Sequence, residues 1–221
     1  MQNAQAQQRD RSDQLIATAI ASAETRSAAE IAVAIVPRAD HYRLTAVLAA
    51  VSLYAFLDMI FNAARSSLIV WLAPMIGADT MTWLGPVIAI VLAILLFFAC
   101  EHTALGVRLT PVAARRRACL ARTRLLFLDH GIDATQDRLG LLICVCEAER
   151  QIEILPDRGI AAIIPETRWQ DLIEAFRGHK QAGPLDTALV HLIAAAADEL
   201  APRFPPWPDQ RNELPDRPFR S

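Results

Sequence analysis

The stretch Leu139–Cys146 reads LGLLICVC, and it decides the fold of the soluble part of this 221-residue chain. Its residues are apolar on both faces of an extended chain, which predicts a central strand buried from both sides. Residues 147–150 (EAER) are polar, and Gln151–Leu155 (QIEIL) follows as a second strand-like run. Because the connection is short and polar, we expect these two strands to form an antiparallel hairpin.

A third strand is predicted before the membrane segments. Glu30–Val36 (EIAVAIV) is a β-branched run that stops at Pro37. One strand is not stable alone, so this one must pair with a strand from beyond residue 138. The predicted fold is α/β, a small mixed sheet flanked by helices and interrupted by a transmembrane helical hairpin. The flanking helices are predicted over Asp10–Thr25, Pro111 to Gly131, Pro165–Phe176 and Gly183 to Leu200.

Two apolar stretches between the strands are predicted to span a membrane, in a chain that is 53% hydrophobic and 21% charged. The twenty residues Met81–Cys100 carry no charge and cover about 30 Å as a helix, the thickness of a hydrocarbon core. The stretch between Arg43 and Arg65 holds one charged residue, Asp58, which costs about 2.5–3.5 kcal/mol at the centre of a span. Asp58 either serves an ion path, or lies near the outer interface or bonds to the neighbouring helix.

The segment between the spans is apolar but too short to cross the bilayer. It covers Ser66–Ile76, and Pro74 and Gly77 interrupt it. We therefore expect an interfacial segment, with Trp71 and Trp83 near headgroup level. Two spans leave both soluble pieces on one side of the membrane, as the strand pairing requires.

The distribution of arginine predicts the orientation in the membrane. The loop between the spans holds only Arg65 as a basic residue, whereas the flank after the second span carries six, among them Arg115, Arg116 and Arg117. The positive-inside rule therefore places both termini in the cytoplasm. Alternatively, the cluster binds anionic lipid or nucleic acid. The net charge of −2 excludes a strongly basic nucleic-acid binder, and no nucleic-acid partner is expected.

These boundaries divide the chain into four predicted segments. Residues 1–43 and 101–200 are the two parts of one cytoplasmic domain, and residues 44–100 are the hairpin, with spans at about 44–64 and 81–100. Residues 201–221 form an extended tail that is rich in proline.

The tail is expected to lie on the domain surface as an ordered strap. Trp207, Leu214 and Phe219 are its predicted apolar anchors, and Asn212 and Glu213 are expected to bond to the body of the domain.

Motifs of common catalytic sites are missing from the sequence. From residue 68 onwards the only serine is Ser221, and the chain contains no G-x-S-x-G, G-x-G-x-x-G or P-loop pattern. Cys144 and Cys146 share a strand face, where small buried residues are expected rather than a metal or redox site without visible partners. The four cysteines fit a reducing compartment.

The candidate site residues lie at the ends of the strands. Carboxylates converging there would hold a divalent cation through oxygen ligands, for a weak metal-dependent phosphatase that uses Asp137, Asp157 and the turn carboxylates. The alternative is that each is an ordinary turn or surface residue. The residues are Asp137, Arg138, Glu147, Glu149, Arg150, Asp157 and Arg158.

The same residues belong to a wider resemblance. In their order, and with the membrane insertion, the blocks resemble the TPM domain family, in particular its bacterial inner-membrane branch with a two-helix insertion and an NELPD-like tail. The blocks are Ala23-Glu24, Glu30–Val33, Arg138–Ile143, Glu149-Arg150, Asp157–Ile160, Trp169, Phe204-Pro205 and Asn212–Asp216.

The resemblance implies an α/β sandwich in the cell inner membrane. Plant lumenal members are associated with acid phosphatase activity and photosystem repair, and an animal member with modulation of a receptor. With the missing nucleophiles, this implies a membrane-anchored, non-enzymatic module that binds or helps assemble a membrane protein. A metal-dependent phosphatase and an anionic-lipid surface protein are the alternatives.

The direction of the chain predicts where a partner binds. Glu30–Val36 runs towards the membrane and Leu139–Cys146 must return there, so the two strands are expected to be parallel. Ligands of open α/β sheets favour the carboxyl ends of parallel strands. On this topology that edge faces the bilayer, and a membrane protein or a lipid headgroup is the expected partner. The edge carries Arg38, Asp40, Glu147, Glu149 and Arg150.

The predicted topology is testable with reporter fusions. A reporter that is active only outside the cytoplasm should be silent when it is fused at residue 221 and active when it is fused near Asp79, because the arginine-rich flanks stay inside. A strong signal from the C-terminal fusion would overturn the orientation.

Overall fold

A computed structural model of the chain describes residues 2–76, 78–135, 137–207 and 212–220, and the side chains of residues 2–5 and 65–82 lie outside that description. The chain forms two compact units. The first contains residues 1–39 and 116–221, and the second contains residues 40–115.

The first unit is built on a four-stranded mixed sheet. Its strands are β1 (Glu30–Val36), β2 (Gly140–Cys146), β3 (Gln151–Pro156) and β4 (Phe219–Arg220), in the order β3-β2-β1-β4. β1 (Glu30–Val36) pairs in parallel with β2 (Gly140–Cys146), from Glu30 opposite Gly140 to Val36 opposite Cys146. β2 pairs antiparallel with β3 (Gln151–Pro156). The predicted central strand, its hairpin and its distant parallel partner are all confirmed.

Helices cover both faces of the sheet, so the predicted α/β sandwich is confirmed. On one face Ile31, Val33 and Ile35 pack against α1 (Gln2–Glu24) and α8 (Leu185–Leu200), with α6 (Arg158–Ala161) and α7 (Glu166–Ala182) on the same side. On the other face Ala32 and Ala34 pack against α5 (Val112–Asp129). Large β-branched residues alternate with alanines along β1, which explains why two different layers fit the two faces.

Two helices are longer than the sequence prediction. α1 begins at Gln2 rather than Asp10, and α7 continues past Phe176 to Ala182. Both extensions consist mainly of polar residues and alanine, which favour helix but show no apolar period. The prediction followed the apolar period, so it began α1 too late and ended α7 too early.

The tail is extended and bonded to the first unit, and it adds an edge strand that the sequence did not predict. β4 (Phe219–Arg220) pairs in parallel with β1, and the Phe219 ring stacks on His130. The backbone N–H groups of Glu213 and Leu214 donate to Oε2 of Glu30, at 3.3 and 3.4 Å.

Two tail residues differ from their predicted roles. Asn212 bonds to Asp216 within the tail rather than to the domain body, at 2.5 Å. The predicted anchor Trp207 is 46% exposed, whereas Leu214 is buried. Residues 208–211 lie outside the described part of the chain.

The second unit contains two helices that are long and apolar enough to cross a membrane. The candidate spans are Arg43–Ala64 within α2 (Arg43–Ile76) and Trp83–His102 within α3 (Ala78–His102). A short helix, α4 (Leu105–Leu109), follows. α2 and α3 approach closely at Gly85, where an added Cβ would lie 2.3 Å from the ring of Phe61.

Two predictions about this unit are corrected. The expected interfacial segment Ser66–Ile76 is continuous in backbone with α2, so Pro74 does not end the helix; the side chain of Trp71 and the whole of Gly77 lie outside the described part. Oδ2 of Asp58 accepts a 3.0 Å hydrogen bond from Nδ2 of Asn62, one turn further along the same helix rather than on its neighbour.

A pair of glutamates lies at the start of β1. Oε1 of Glu24 accepts from the backbone N–H of Ile31 at 3.3 Å, while buried Glu30 holds the tail. Burial, and next the negative charge of Glu30, raises the pKa of Glu24 to about 8. Folded Glu24 therefore keeps its proton at a pH where the unfolded chain has lost it.

This pair makes the stability depend on pH. Unfolded Glu24 ionises near its ordinary pKa of 4.5, so the free energy of unfolding should fall as the pH rises from about 4.5 to 8. Glu24→Gln removes the ionisation and should stabilise the protein at pH 8 by about 1–2 kcal/mol, a value reduced for partial exposure, with little effect at pH 4.5. Thermal unfolding of the full chain in detergent at both pH values measures this, and the same shift at both would contradict it.

Candidate binding site at the carboxyl end of the parallel strands

The hairpin turn folds back onto the chain that leaves β1. The N–H of Glu147 donates to the carbonyl of Val36 at 2.9 Å, and the N–H of Ala148 donates to that of Pro37 at 3.0 Å. Arg150 closes the turn with a φ of 53°, and its N–H donates to the carbonyl of Glu147. The parallel register thus continues beyond the strands and joins the turn to residues 36 and 37.

Glu149 is the buried residue that stabilises this junction, the hydrogen-bonded contact between the turn and the chain that leaves β1. Its side chain is fully buried, and Oε1 accepts a 3.0 Å hydrogen bond from the backbone N–H of Ala39. The sequence prediction placed Glu149 on the binding edge. In the structure it is instead a positioning residue, because a carboxylate in this place satisfies a backbone donor that no strand partner reaches.

The remaining residues of the predicted edge are placed as follows. Arg38 is half-buried beside the junction, and Glu147 and Arg150 are exposed on the turn. Asp40 opens the second unit, where its Oδ1 accepts from the N–H of His41 at 2.6 Å. The structure therefore places Arg38 next to the junction in the first unit, whereas Asp40 belongs to the second unit.

A cavity of 640 Å³ opens next to the turn, and we call it the basic cavity. It has an apolar floor and a rim with three cations, contributed by Arg150 of the turn and by Arg177 and Lys180 of α7. The floor is formed by Val145, Ile152, Phe176 and Leu185.

The charge of the basic cavity favours an anion. Glu147 is the one carboxylate among its lining residues, against three cations. Arg177 and Lys180 lie three residues apart, so they share one side of α7. Guanidinium and ammonium groups above an apolar floor can bind a carboxylate or a phosphate group and contact the apolar part of its carrier.

Sequence reasoning missed Arg177 and Lys180 because the predicted helix stopped at Phe176. One signal was available, since Lys180 is the single lysine among 22 basic residues. Its place in the lining of the same cavity as the turn, however, depends on how α7 packs on the sheet.

A second cavity of 540 Å³ shares Glu147 and Leu185 with the first. Three of its polar lining residues, Ser12, Asp186 and Arg220, already have partners. Ser12 donates to Asp186 at 3.0 Å, and Arg220, which also lines this cavity, pairs with Asp13 at 2.5 Å. This internal pairing makes the second cavity the weaker candidate for a charged ligand.

The carboxylates predicted to converge are divided between the two ends of β2. Asp157 caps α6 beside the start of the strand: Oδ1 accepts from the N–H of Arg158 at 2.7 Å, and the N–H of Asp157 donates to the carbonyl of Gly140 at 2.8 Å. Glu147 follows the other end, about 20 Å away along seven strand residues. A single site using Asp157 and the turn carboxylates is therefore excluded by distance.

Asp137 lies exposed at the Asp157 end of β2. Among the residues that the structure describes, no group of three histidine, cysteine or acidic side chains is placed to hold a metal ion.

The arginines expected to signal topology are at the start of α5. Arg116 also makes a contact within the first unit, where its Nε lies 3.4 Å from Oε1 of Glu153 on β3. Burial raises the pKa of Glu153, and the positive charge of Arg116 opposes that shift.

Comparison with known proteins supports the fold. No family model matches this chain, and no curated protein matches it either. A similar solved structure is the NMR structure of the BA42 protein from the psychrophilic bacterium Bizionia argentinensis. It has a TM-score of 0.57 and 17% identity, over 96% of this chain and 93% of that chain. At this identity the likeness concerns the fold alone.

The different burial of two turn glutamates leads to a stability prediction. Glu149→Ala removes a buried carboxylate, and the backbone N–H of Ala39 loses its hydrogen-bond acceptor. The free energy of unfolding should therefore fall by about 2–3 kcal/mol. Glu147→Ala changes an exposed side chain in the same turn and should stay within about 0.5 kcal/mol. Thermal unfolding of the full chain in detergent compares them, and equal midpoints would show that Glu149 does not hold the junction.

Proposed function

We propose that this protein is a membrane-anchored, non-enzymatic binding module of the TPM type that holds an acidic segment of another membrane protein. The proposal includes residence in the inner membrane with both termini in the cytoplasm. Two spanning helices supply the anchor, and the arginine-rich flanks support the orientation.

The basic cavity is the observation that carries the proposal. Three cations surround an apolar floor at the turn between the carboxyl end of β2 and the start of β3. An acidic peptide segment fits this chemistry, since its carboxylates pair with Arg177 and Lys180 while its apolar side chains cover Phe176 and Ile152.

The connection between strand and span favours a partner held in the membrane. Residues 37–42 are the only chain between the end of β1 and the start of α2. A partner in the same membrane is confined with this protein to one surface, so its effective concentration is high and a weak contact is sufficient for association.

The TPM assignment rests on where the resembling blocks fall. They coincide with β1, the start of β2, the hairpin turn, the N-cap of α6, the buried Trp169 and the tail that bonds to Glu30. These positions are structural parts of the fold, which supports a shared architecture with that family.

The proposal is tested by photo-crosslinking in native membranes. A crosslinking residue replaces Ala148 in the turn or, as the matched control, Ala134 near the start of β2. We expect residue 148 to capture a membrane protein. The double variant Arg177→Glu/Lys180→Glu should reduce this capture at least about fivefold, because it reverses the charge of the cavity, and 0.5 M salt should weaken it as well.

The matched control reverses two exposed arginines elsewhere in the first unit. Arg124→Glu/Arg158→Glu makes the same change in net charge and should keep the capture within about twofold. Equal capture from residue 134 would contradict the proposed edge, and phospholipid adducts alone would favour the lipid-surface alternative. Phosphate-ester hydrolysis that EDTA and Asp157→Asn both abolish would contradict a non-enzymatic role.

A further inference from the structure

Three cysteines converge on the face of the sheet that α5 covers. Cys144 and Cys146 lie two residues apart on β2 and share that face, and Cys119 of α5 packs against them. Sγ of Cys119 lies 2.6 Å from Sγ of Cys146, and all three side chains are fully buried. The sequence showed the two strand thiols without a partner, and the helix supplies it.

The distance between Cys119 and Cys146 permits a covalent bond with little rearrangement. A disulfide bond measures about 2.05 Å, so an approach of about half an ångström joins the two sulfurs. The bond would connect α5 to β2, two elements already packed in one core cluster.

The three thiols are not equivalent. Hydrogen bonding from the Cys119 thiol, and then from the Cys146 thiol, lowers the pKa of Cys144. Hydrogen bonds with Cys119 and then with Cys144 raise the pKa of Cys146. The hydrogen bond with Cys144 raises the pKa of Cys119. Cys144 is therefore the thiol of the three that ionises most readily, and the thiolate is the nucleophilic form of cysteine.

We propose that Cys119, Cys144 and Cys146 form an oxidation site for small hydroperoxides whose product is a Cys119–Cys146 disulfide. Complete burial selects a small oxidant such as hydrogen peroxide over a bulky disulfide. Cys146 also lines the basic cavity, but the oxidation chemistry does not require the proposed binding function.

The reaction balances in three steps. The Cys144 thiolate attacks one peroxide oxygen and the O–O bond breaks. Hydroxide departs, and Cys144 becomes a sulfenic acid. The Cys119 sulfur then attacks the Cys144 sulfur, the S–O bond breaks, and water leaves. The Cys146 sulfur attacks that of Cys119 and expels the Cys144 thiolate, the best leaving group of the three, and the proton released neutralises the hydroxide. In total, two thiols and one hydrogen peroxide give one disulfide and two waters.

The test uses the reduced full-length protein in detergent micelles. Hydrogen peroxide is added in steps, remaining thiols are alkylated, and trypsin digestion is followed by mass spectrometry without reduction. Trypsin releases Cys119 in peptide 118–122 (ACLAR) and the strand thiols in peptide 139–150 (LGLLICVCEAER). We expect these two peptides linked, lighter by two hydrogens than their sum, with fragmentation placing the bridge at Cys146 and dithiothreitol separating them.

Variants distinguish the roles of the cysteines. Cys100→Ser, in the second span, is the matched control and should leave the yield of linked peptide unchanged. Cys144→Ser should slow linkage at least about tenfold while Cys119 and Cys146 remain, because it removes the attacking thiolate.

Three results would overturn the proposal. One is the absence of the linked peptide at peroxide levels that already oxidise methionine in the wild-type protein. Another is a bridge confined to Cys144 and Cys146 within peptide 139–150. The third is an unchanged rate in Cys144→Ser, which would remove the assigned nucleophile.

Discussion

The parallel pairing of β1 with β2 is the interaction on which the rest of the structure depends. More than one hundred residues, including both candidate spans, separate two strands that pair over their full length. Both strands are buried throughout, so their backbone polar groups require partners inside the protein. The two apolar helices are therefore an insertion into one domain, and the domain forms only when the segments before and after them meet.

The proposed binding cavity and the proposed oxidation site both depend on this pairing. Because the strands end in register, the hairpin turn donates hydrogen bonds to residues 36 and 37. Arg150 of this turn lines one cavity together with Arg177 and Lys180. On the opposite face, α5 brings Cys119 onto Cys146. The apolar floor of the basic cavity and the thiol group thus lie on opposite faces of the same sheet, although Cys146 also lines the cavity. Each is assembled from elements distant in sequence.

Three glutamates near the ends of β1 accept hydrogen bonds from backbone N–H groups. Glu149 accepts from Ala39 after the strand, Glu24 accepts from Ile31 at its start, and Glu30 accepts from Glu213 and Leu214 of the tail. Each carboxylate bonds to backbone donors of a segment entering or leaving the sheet. Their burial reflects this bonding, since a buried carboxylate is stable only where donors face it or where it keeps its proton, as Glu24 does.

The sequence by itself determined β1, β2 and β3, the parallel partner of β1, the hairpin and two helices long and apolar enough to cross a membrane. These follow from local apolar patterns and from the rule that one strand cannot stand alone. Only the tertiary structure decided that Glu149 points inwards, that Phe219 completes the sheet edge, and that Lys180 and Cys119 acquire neighbours. Such contacts join residues with no fixed spacing along the chain, because they depend on how helices pack on a sheet, and no periodic pattern records that packing.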